Sequence, residues 1–176
     1  MGERWMTIRT GCADDANAIQ DIHALAFGRP EEARLVVMLQ SAAAASVSLG
    51  AEVDGRIVGH ILFSPVGIAN LGEPTPVRVL GLAPLAVLPA YQRRGIGSRL
   101  VREGLAACRE AGADAVVVLG EPAYYRRFGF RRASEFGLAN EYGVDDEFMA
   151  IELWPRALAG VQGIVRYRPE FGEIGG

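Results

Sequence analysis

The segment that most restricts what this chain can fold into is Gln92-Arg93-Arg94-Gly95-Ile96-Gly97, because of what stands on either side of it. Before it runs an apolar, strand-like stretch over residues 77–88. After it, Ile96, Leu100, Val101, Leu105 and Cys108 recur on one face of a helix predicted over residues 97–111. Two glycines between a strand and a helix let the backbone turn tightly and approach a ligand with no Cβ in the way. The first N–H groups of a helix lack intrahelical partners and sit at the positive end of its dipole, so the segment reads as an anion site suited to phosphate or pyrophosphate. Arg93 and Arg94 would add charge beside those amides. Gly-x-Gly alone also serves in a plain strand-to-helix turn.

Two other phosphate loops are disfavoured. A P-loop places four residues between its glycines and a Lys-Ser/Thr pair after the second, whereas Ser98 follows Gly97 here with no lysine. A dinucleotide-binding fingerprint has a third glycine where this chain has Leu100.

The rest of the pattern builds a frame around the turn. Residues 7–9 read as a first strand, Asp14 and Asp15 as caps, and residues 16–27 as a helix with Ala18, Ile22, Leu25 and Ala26 facing the core. Pro30 opens a second helix over residues 30–40, with Glu31 and Glu32 in its first turn and Leu35, Val36 and Leu39 on its apolar face. Alternating and β-branched residues over 46–66, broken by Asp54-Gly55, predict a hairpin. A loop containing Asn70, Gly72, Pro74 and Pro76 leads to the 77–88 strand, where Pro84 removes a ladder donor and predicts a bulge or a break in pairing. Gly112 ends the helix after the turn, and residues 115–119 form an apolar run expected of a strand buried on both faces. Strand, helix and strand in that space make a parallel crossover. A short helix over residues 124–127 and tail strands over 148–153 and 161–167 complete a mixed α/β (α+β) architecture, expected as one domain over residues 1–176.

With 176 residues, half of them hydrophobic, the chain can bury a core of ordinary size. A net charge of −3 argues against nucleic acid as the main partner, since phosphate neutralisation needs a basic face. Two local arginine groups, Arg93, Arg94, Arg99 and Arg102, and Arg126, Arg127, Arg131 and Arg132, read either as solvated faces or as attraction for a small polyanion. Cys12 and Cys108 suggest neither a disulfide framework nor a zinc site. Neither a signal peptide nor a spanning segment is evident, so the expected location is cytoplasmic, without membrane partners.

Gln92-x-x-Gly95-x-Gly97 resembles the pyrophosphate turn of the GCN5-related N-acetyltransferases (GNAT), written Gln/Arg-x-x-Gly-x-Gly/Ala. Residues 85–91, Leu-Ala-Val-Leu-Pro-Ala-Tyr, look like that family's fourth strand and its exit, and residues 123–130, Ala-Tyr-Tyr-Arg-Arg-Phe-Gly-Phe, resemble its later helix. Over nearly the whole chain the resemblance is to the YhbS-like branch of the family. It implies a mostly antiparallel twisted sheet with a central β-α-β crossover and helices on both faces. It also implies an acetyl-CoA-dependent N-acetyltransferase acting on a primary amine of a small molecule or protein by direct attack, with acetyl-CoA as donor and no metal. Leu85, Ala86 and Val87 would line the pantetheine arm, and Gln92, Arg93, Arg94, Gly95, Ile96, Gly97 and Ser98 the pyrophosphate.

Tyr125 aligns with the tyrosine that commonly protonates the departing thiolate, with Tyr124 the weaker candidate in register. Glu121, at the carboxyl end of a parallel strand, is the favoured acceptor of the amine's proton, with Glu52 and His60 as alternatives or water as relay. Each has a plainer reading: Tyr125 as packing, Glu121 as a helix cap, His60 as a core histidine, Glu52 as a solvated strand residue. The other functional class is a CoA-binding sensor without transfer activity. An acceptor carried on aminoacyl-tRNA is disfavoured by the net acidity. The acceptor site is expected within residues 28–42 and 134–147, in variable loops and first helices. The acceptor itself and the oligomeric state, a homodimer included, are left open by the sequence.

Overall fold

The computed structural model describes residues 5–11, 13–69 and 76–173. Cys12 and the Asn70, Gly72 and Pro74 positions of the expected loop lie outside the described residues. Strand β1 (Met6–Thr10) pairs with β2 (Val47–Val53), which turns through Asp54 and Gly55 into β3 (Arg56–Ala69). Both turn residues have positive φ, 49° and 77°, as a hairpin matched to the twist of its strands requires. Helices α1 (Ala16–Phe27) and α2 (Glu31–Ser41) lie between β1 and β2 in sequence.

Strand β4 (Val79–Val87), helix α3 (Ile96–Glu110) and strand β5 (Ala115–Leu119) form the expected parallel crossover. A short α4 (Pro122–Tyr125) follows, then β6 (Arg131–Arg132), β7 (Leu138–Asn140), β8 (Phe148–Glu152), β9 (Gly163–Arg166) and α5 (Pro169–Gly172). The nine strands of the described residues make one sheet, in the order β1-β2-β3-β4-β5-β8-β6, with β9 pairing the far end of β3 and β7 pairing β9. The pairing is mostly antiparallel. Besides the crossover, β7 runs parallel to β9, which the sequence pattern did not foresee.

Alternation along the strands assigns the faces of the core. Ile61 and Phe63 belong to the main cluster, which includes Ile96, Leu100, Val101 and Cys108 of α3, while Leu62 between them packs with Leu35 and Leu39 of α2. In β5, Val116 and Val118 face the main cluster, and Ala115 and Val117 face a second one with Phe148, Leu158 and Val161. This explains the unbroken apolar run. Helix α3 approaches closely because Gly104 faces the Phe63 ring, where an added Cβ would come within 2.6 Å.

Helix α1 turns inward a face that includes the expected Ile22, Ala18 and Ala26 but not Leu25. Ile19, Ile22 and His23 are buried, Ala18 and Ala26 only border the core, and Leu25 is 60% exposed. Asp15 precedes α1 but makes no side-chain cap bond. Its carboxylate instead takes a bidentate bond from Arg9, at 2.7 and 2.9 Å. No helix among the described residues is long and apolar enough to cross a membrane.

Candidate active site

The functional geometry begins where β4 and β5 stop pairing. The two strands are in register over Val79–Gly81 against Ala115–Val117, and no further. Beyond Gly81, β4 stays with β3, while Val118 and Leu119 continue only against β8. Pro84 sits at the opening wedge after a cis peptide bond with Ala83, opposite a register shift between Ile61 and Phe63 of β3. The sequence expectation of a bulged, locally unpaired strand at Pro84 describes this arrangement.

The wedge exposes backbone. Leu88 N–H donates to Val58 O on β3 at 2.8 Å, so by antiparallel alternation the peptide groups of Ala86 also face β3. Those of Leu85 and Val87 then point to the open side. Val87 O accepts from Gln92 Nε2 at 3.0 Å, which ties the turn back to the strand. Of the three strand residues expected along a cofactor arm, Leu85 and Val87 turn their peptide groups to the open side, and those of Ala86 face β3.

Gln92 to Ser98 form the turn and the start of α3. Arg93 and Gly95 adopt left-handed backbone, φ 63° and 81°. The first bond of the helix ladder runs from Arg99 N–H to Gly95 O at 3.0 Å, so the amides from Gly95 to Ser98 lie outside the ladder, free to meet an anion. Gly95 has nothing within 4 Å of a notional Cβ, whereas one on Gly97 would come 3.0 Å from the Tyr124 hydroxyl. Ile96 is buried in the core and anchors the turn.

Arg127 completes this rim. Its Nη2 donates to Ser98 Oγ at 3.2 Å, and its guanidinium lies over the rings of Tyr124 and Phe128 at 5.4 and 5.6 Å. Arg94 lies over Tyr91 and Arg102 over Phe128. Arg99 is paired with Glu103, and Arg131 and Arg132 with Glu135, Asp145 and Asp146, whereas Arg93, Arg94, Arg102 and Arg127 have no carboxylate partner among the described residues. The two arginine groups of the sequence therefore divide: three of the eight are neutralised by carboxylates, while Arg93, Arg94, Arg102 and Arg127 lie at or beside the open helix start. The sequence held Arg127 only as part of a basic cluster, because its approach to Ser98 depends on how α4 packs.

Tyr125 lines the wedge. It is 9% exposed, in edge contact with Tyr124 and Phe130, and its ring lies so close to Gly120 that a Cβ there would come within 2.4 Å. Burial, with a smaller contribution from Tyr124, raises its pKa, so the phenol keeps its proton through the neutral range. With Leu82, Ala83, Pro84, Leu85 and Leu119 it borders a cleft of about 560 Å³. The opposite walls come from Phe27, Arg29, Glu32 and Leu35 and from Tyr142, Tyr167 and Phe171. Arg29, Glu32, Leu35 and Tyr142 fall in the windows expected for an acceptor site. Tyr167 and Phe171 do not, since nothing in the tail's pattern shows that β9 folds back beside β3.

The three candidate proton acceptors lie elsewhere. Glu121 is exposed at the N-terminal end of α4, makes no cap bond with its side chain, and does not line the cleft. Its backbone carbonyl accepts from the amides of Tyr124 and Tyr125. Glu52 is bound to Arg9 at 2.7 Å on the far side of the sheet's hairpin. His60 is fully buried. Its Nδ1 lies 2.9 Å from Nε2 of His23, and its Nε2 lies 2.8 Å from Ser48 Oγ. Burial pushes His60 down to about 3 and His23 to about 4, so both are neutral core residues. Among the described residues no three His, Cys, Asp or Glu side chains converge as a metal-binding set.

The chain and its fold have known relatives. The chain matches the family model "Acetyltransferase (GNAT) domain" over residues 7–133. It is 38% identical over 171 residues to the uncharacterized N-acetyltransferase YhbS of Escherichia coli K12, covering 96% of this chain and all of that protein. Among solved structures, E. coli YhbS in complex with CoA superposes with a TM-score of 0.88 at 36% identity, covering 95% of this chain and 92% of that one. A GNAT family acetyltransferase from Brucella melitensis in complex with acetyl-CoA gives 0.76 at 38% identity, covering 94% and 97%. This chain belongs to the GNAT family of acetyltransferases.

Proposed function

We propose that the chain is an acetyl-CoA-dependent N-acetyltransferase that passes the acetyl group to a primary amine by direct attack in a ternary complex. One observation carries this reading. The parting of β4 and β5 beyond Gly81 leaves unpaired peptide groups beside a helix start whose amides are outside the ladder. An elongated thioester with a phosphate end fits that pairing of features. The CoA and acetyl-CoA complexes of the E. coli and Brucella proteins support it.

In this reading the amides from Gly95 to Ser98, with Arg93, Arg94 and Arg127, hold the pyrophosphate. The turn residues Gln92 and Ile96 fix its shape. The open peptide group of Leu85 and the N–H of Val87 hold the pantetheine arm, and an N–H of this strand polarises the thioester carbonyl. The amine nitrogen then bonds to the carbonyl carbon and the C–S bond breaks. One proton leaves the nitrogen and one is taken up by the sulfur.

Tyr125 is the donor to the departing sulfur. Its raised pKa lies above that of a thiol, so complete transfer in isolation runs uphill. The phenol therefore acts as a hydrogen-bond donor as charge develops, and the proton released by the amine balances the one the sulfur gains. A sensor without transfer activity would bind acetyl-CoA and release no thiol. Thiol release that depends on both acetyl-CoA and an added amine supports the enzyme reading, and tight binding with no release across a broad amine panel overturns it.

A further inference from the structure

The cleft wall opposite Tyr125 carries a polar feature that the transfer reading leaves unused. Glu32 lines the cleft with its side chain only 9% exposed. Its Oε1 accepts from Arg29 Nη2 at 2.5 Å, and its Oε2 has no partner. Tyr167 also lines the cleft, and its hydroxyl is likewise buried and unpartnered. Glu31 has an unpartnered oxygen too, but it does not border the cleft. Native proteins rarely leave such groups unsatisfied, and a buried carboxylate oxygen calls for a donor.

The surroundings define that donor. Tyr167 packs over Gly81, the last residue of β4 paired with β5, where a Cβ would lie 3.0 Å from its ring, so its ring stands at the vertex of the wedge. Tyr142 and Phe171 adjoin it, with ring centroids 6.1 and 5.2 Å away. Phe27, Leu35 and Leu82 supply further apolar wall. The cleft thus offers a carboxylate oxygen, a phenol and aromatic faces, a set that attracts a cation with an apolar body. Arg29 is the one cation lining the cleft. It is already paired with Glu32 and its side chain is 59% exposed, so an acid group on the ligand would have to compete for it.

We infer that the acceptor is a small primary amine with an apolar body and no acid group beside the nitrogen, held as its ammonium by Glu32 Oε2 with Tyr167 beside it. This rests on the acetyltransferase reading and names its substrate class. An ammonium has three N–H donors, enough for Glu32 and the Tyr167 oxygen with one left over. Before attack it loses one proton, to solvent directly or by way of Glu32, and the neutral nitrogen then forms the C–N bond as the C–S bond breaks.

The test is steady-state thiol release with acetyl-CoA and four acceptors: phenethylamine, hexylamine, phenylalanine, and a tripeptide with a free N-terminus. Acetyl-CoA affinity is measured separately by calorimetry. The expected result is kcat/KM for phenethylamine and hexylamine roughly tenfold or more above phenylalanine and the peptide. Glu32→Gln should raise KM for phenethylamine about tenfold, with acetyl-CoA affinity unchanged, and Tyr167→Phe should raise it by a smaller factor. Equal or better turnover of phenylalanine or of the peptide overturns the inference, as does an unchanged KM in Glu32→Gln. Should Glu32→Gln fail to fold, the comparison of acceptors on the wild-type protein and the Tyr167→Phe variant still decide. Turnover of amines outside the apolar class alone, with acetyl-CoA bound, sinks the acceptor class, whereas no turnover of any amine, or absence of acetyl-CoA binding, sinks the underlying reading.

Discussion

At the scale of residues, the site divides into groups that bind by backbone and groups that act by side chain. Gly95 belongs to the first. Its φ of 81° costs any other residue about 1–2 kcal/mol, although a Cβ would meet no neighbour. Gly95→Ala should therefore weaken acetyl-CoA binding by roughly fivefold or more, read by calorimetry, with little change in melting temperature beyond that strain. Arg127 belongs to the second. Its unpaired guanidinium beside Ser98 predicts that Arg127→Ala weakens acetyl-CoA binding by roughly tenfold, and that the difference shrinks as salt rises. An equal loss at low and high salt would point to packing against Tyr124 and Phe128 rather than charge. The turn motif was legible in the sequence because its chemistry resides in the backbone, at fixed spacing. Arg127, Glu32 and Tyr167 were not, because each acquires meaning only from what the fold sets beside it.

At the scale of elements, the strand break at Pro84 and the crossover around α3 were readable, since proline removes a ladder donor and the helical and strand periods differ. The helix bounds expected for α1, residues 16–27, are those observed. Of its expected inward face only Leu25 was misplaced, because the inward stripe is shifted to Ile19 and His23. A buried histidine looks polar in any hydrophobic pattern, and only its bond to His60 shows why it is inside. The short β6 and β7 and the packing of α5 against α2 left no periodic trace, being too brief to have one. Close contact between α3 and β3 gives the prediction at this scale. Gly104→Ala would gain helix propensity, yet its Cβ would meet the fully buried Phe63 ring at 2.6 Å. We expect a net loss of about 1–3 kcal/mol in denaturant unfolding. A neutral or stabilising result would show that the ring can move aside.

At the scale of the whole molecule, the Ser48–His60–His23 chain links β2, β3 and α1 beneath the sheet without touching the cleft. Both histidines are held neutral by burial, down to about 4 and about 3, while in the unfolded chain each takes a proton near pH 6.5. The unfolded state therefore binds more protons as pH falls below that value. Stability should drop by about 1.4 kcal/mol per pH unit for each histidine until pH approaches the folded values. Urea midpoints measured between neutral pH and pH 5 check this. A flat profile would mean that the pair is protonated in the folded state.

In the proposed function the helix start and the wedge are two ends of one acetyl-transfer site, with Tyr125 at the reacting end. The most direct measurement is amine-dependent thiol release by Tyr125→Phe beside its acetyl-CoA affinity. The ring packing survives that change and only the hydroxyl is lost. With Tyr125 as donor, kcat should fall by about a hundredfold with acetyl-CoA affinity unchanged. Thiol release at the wild-type rate would contradict it.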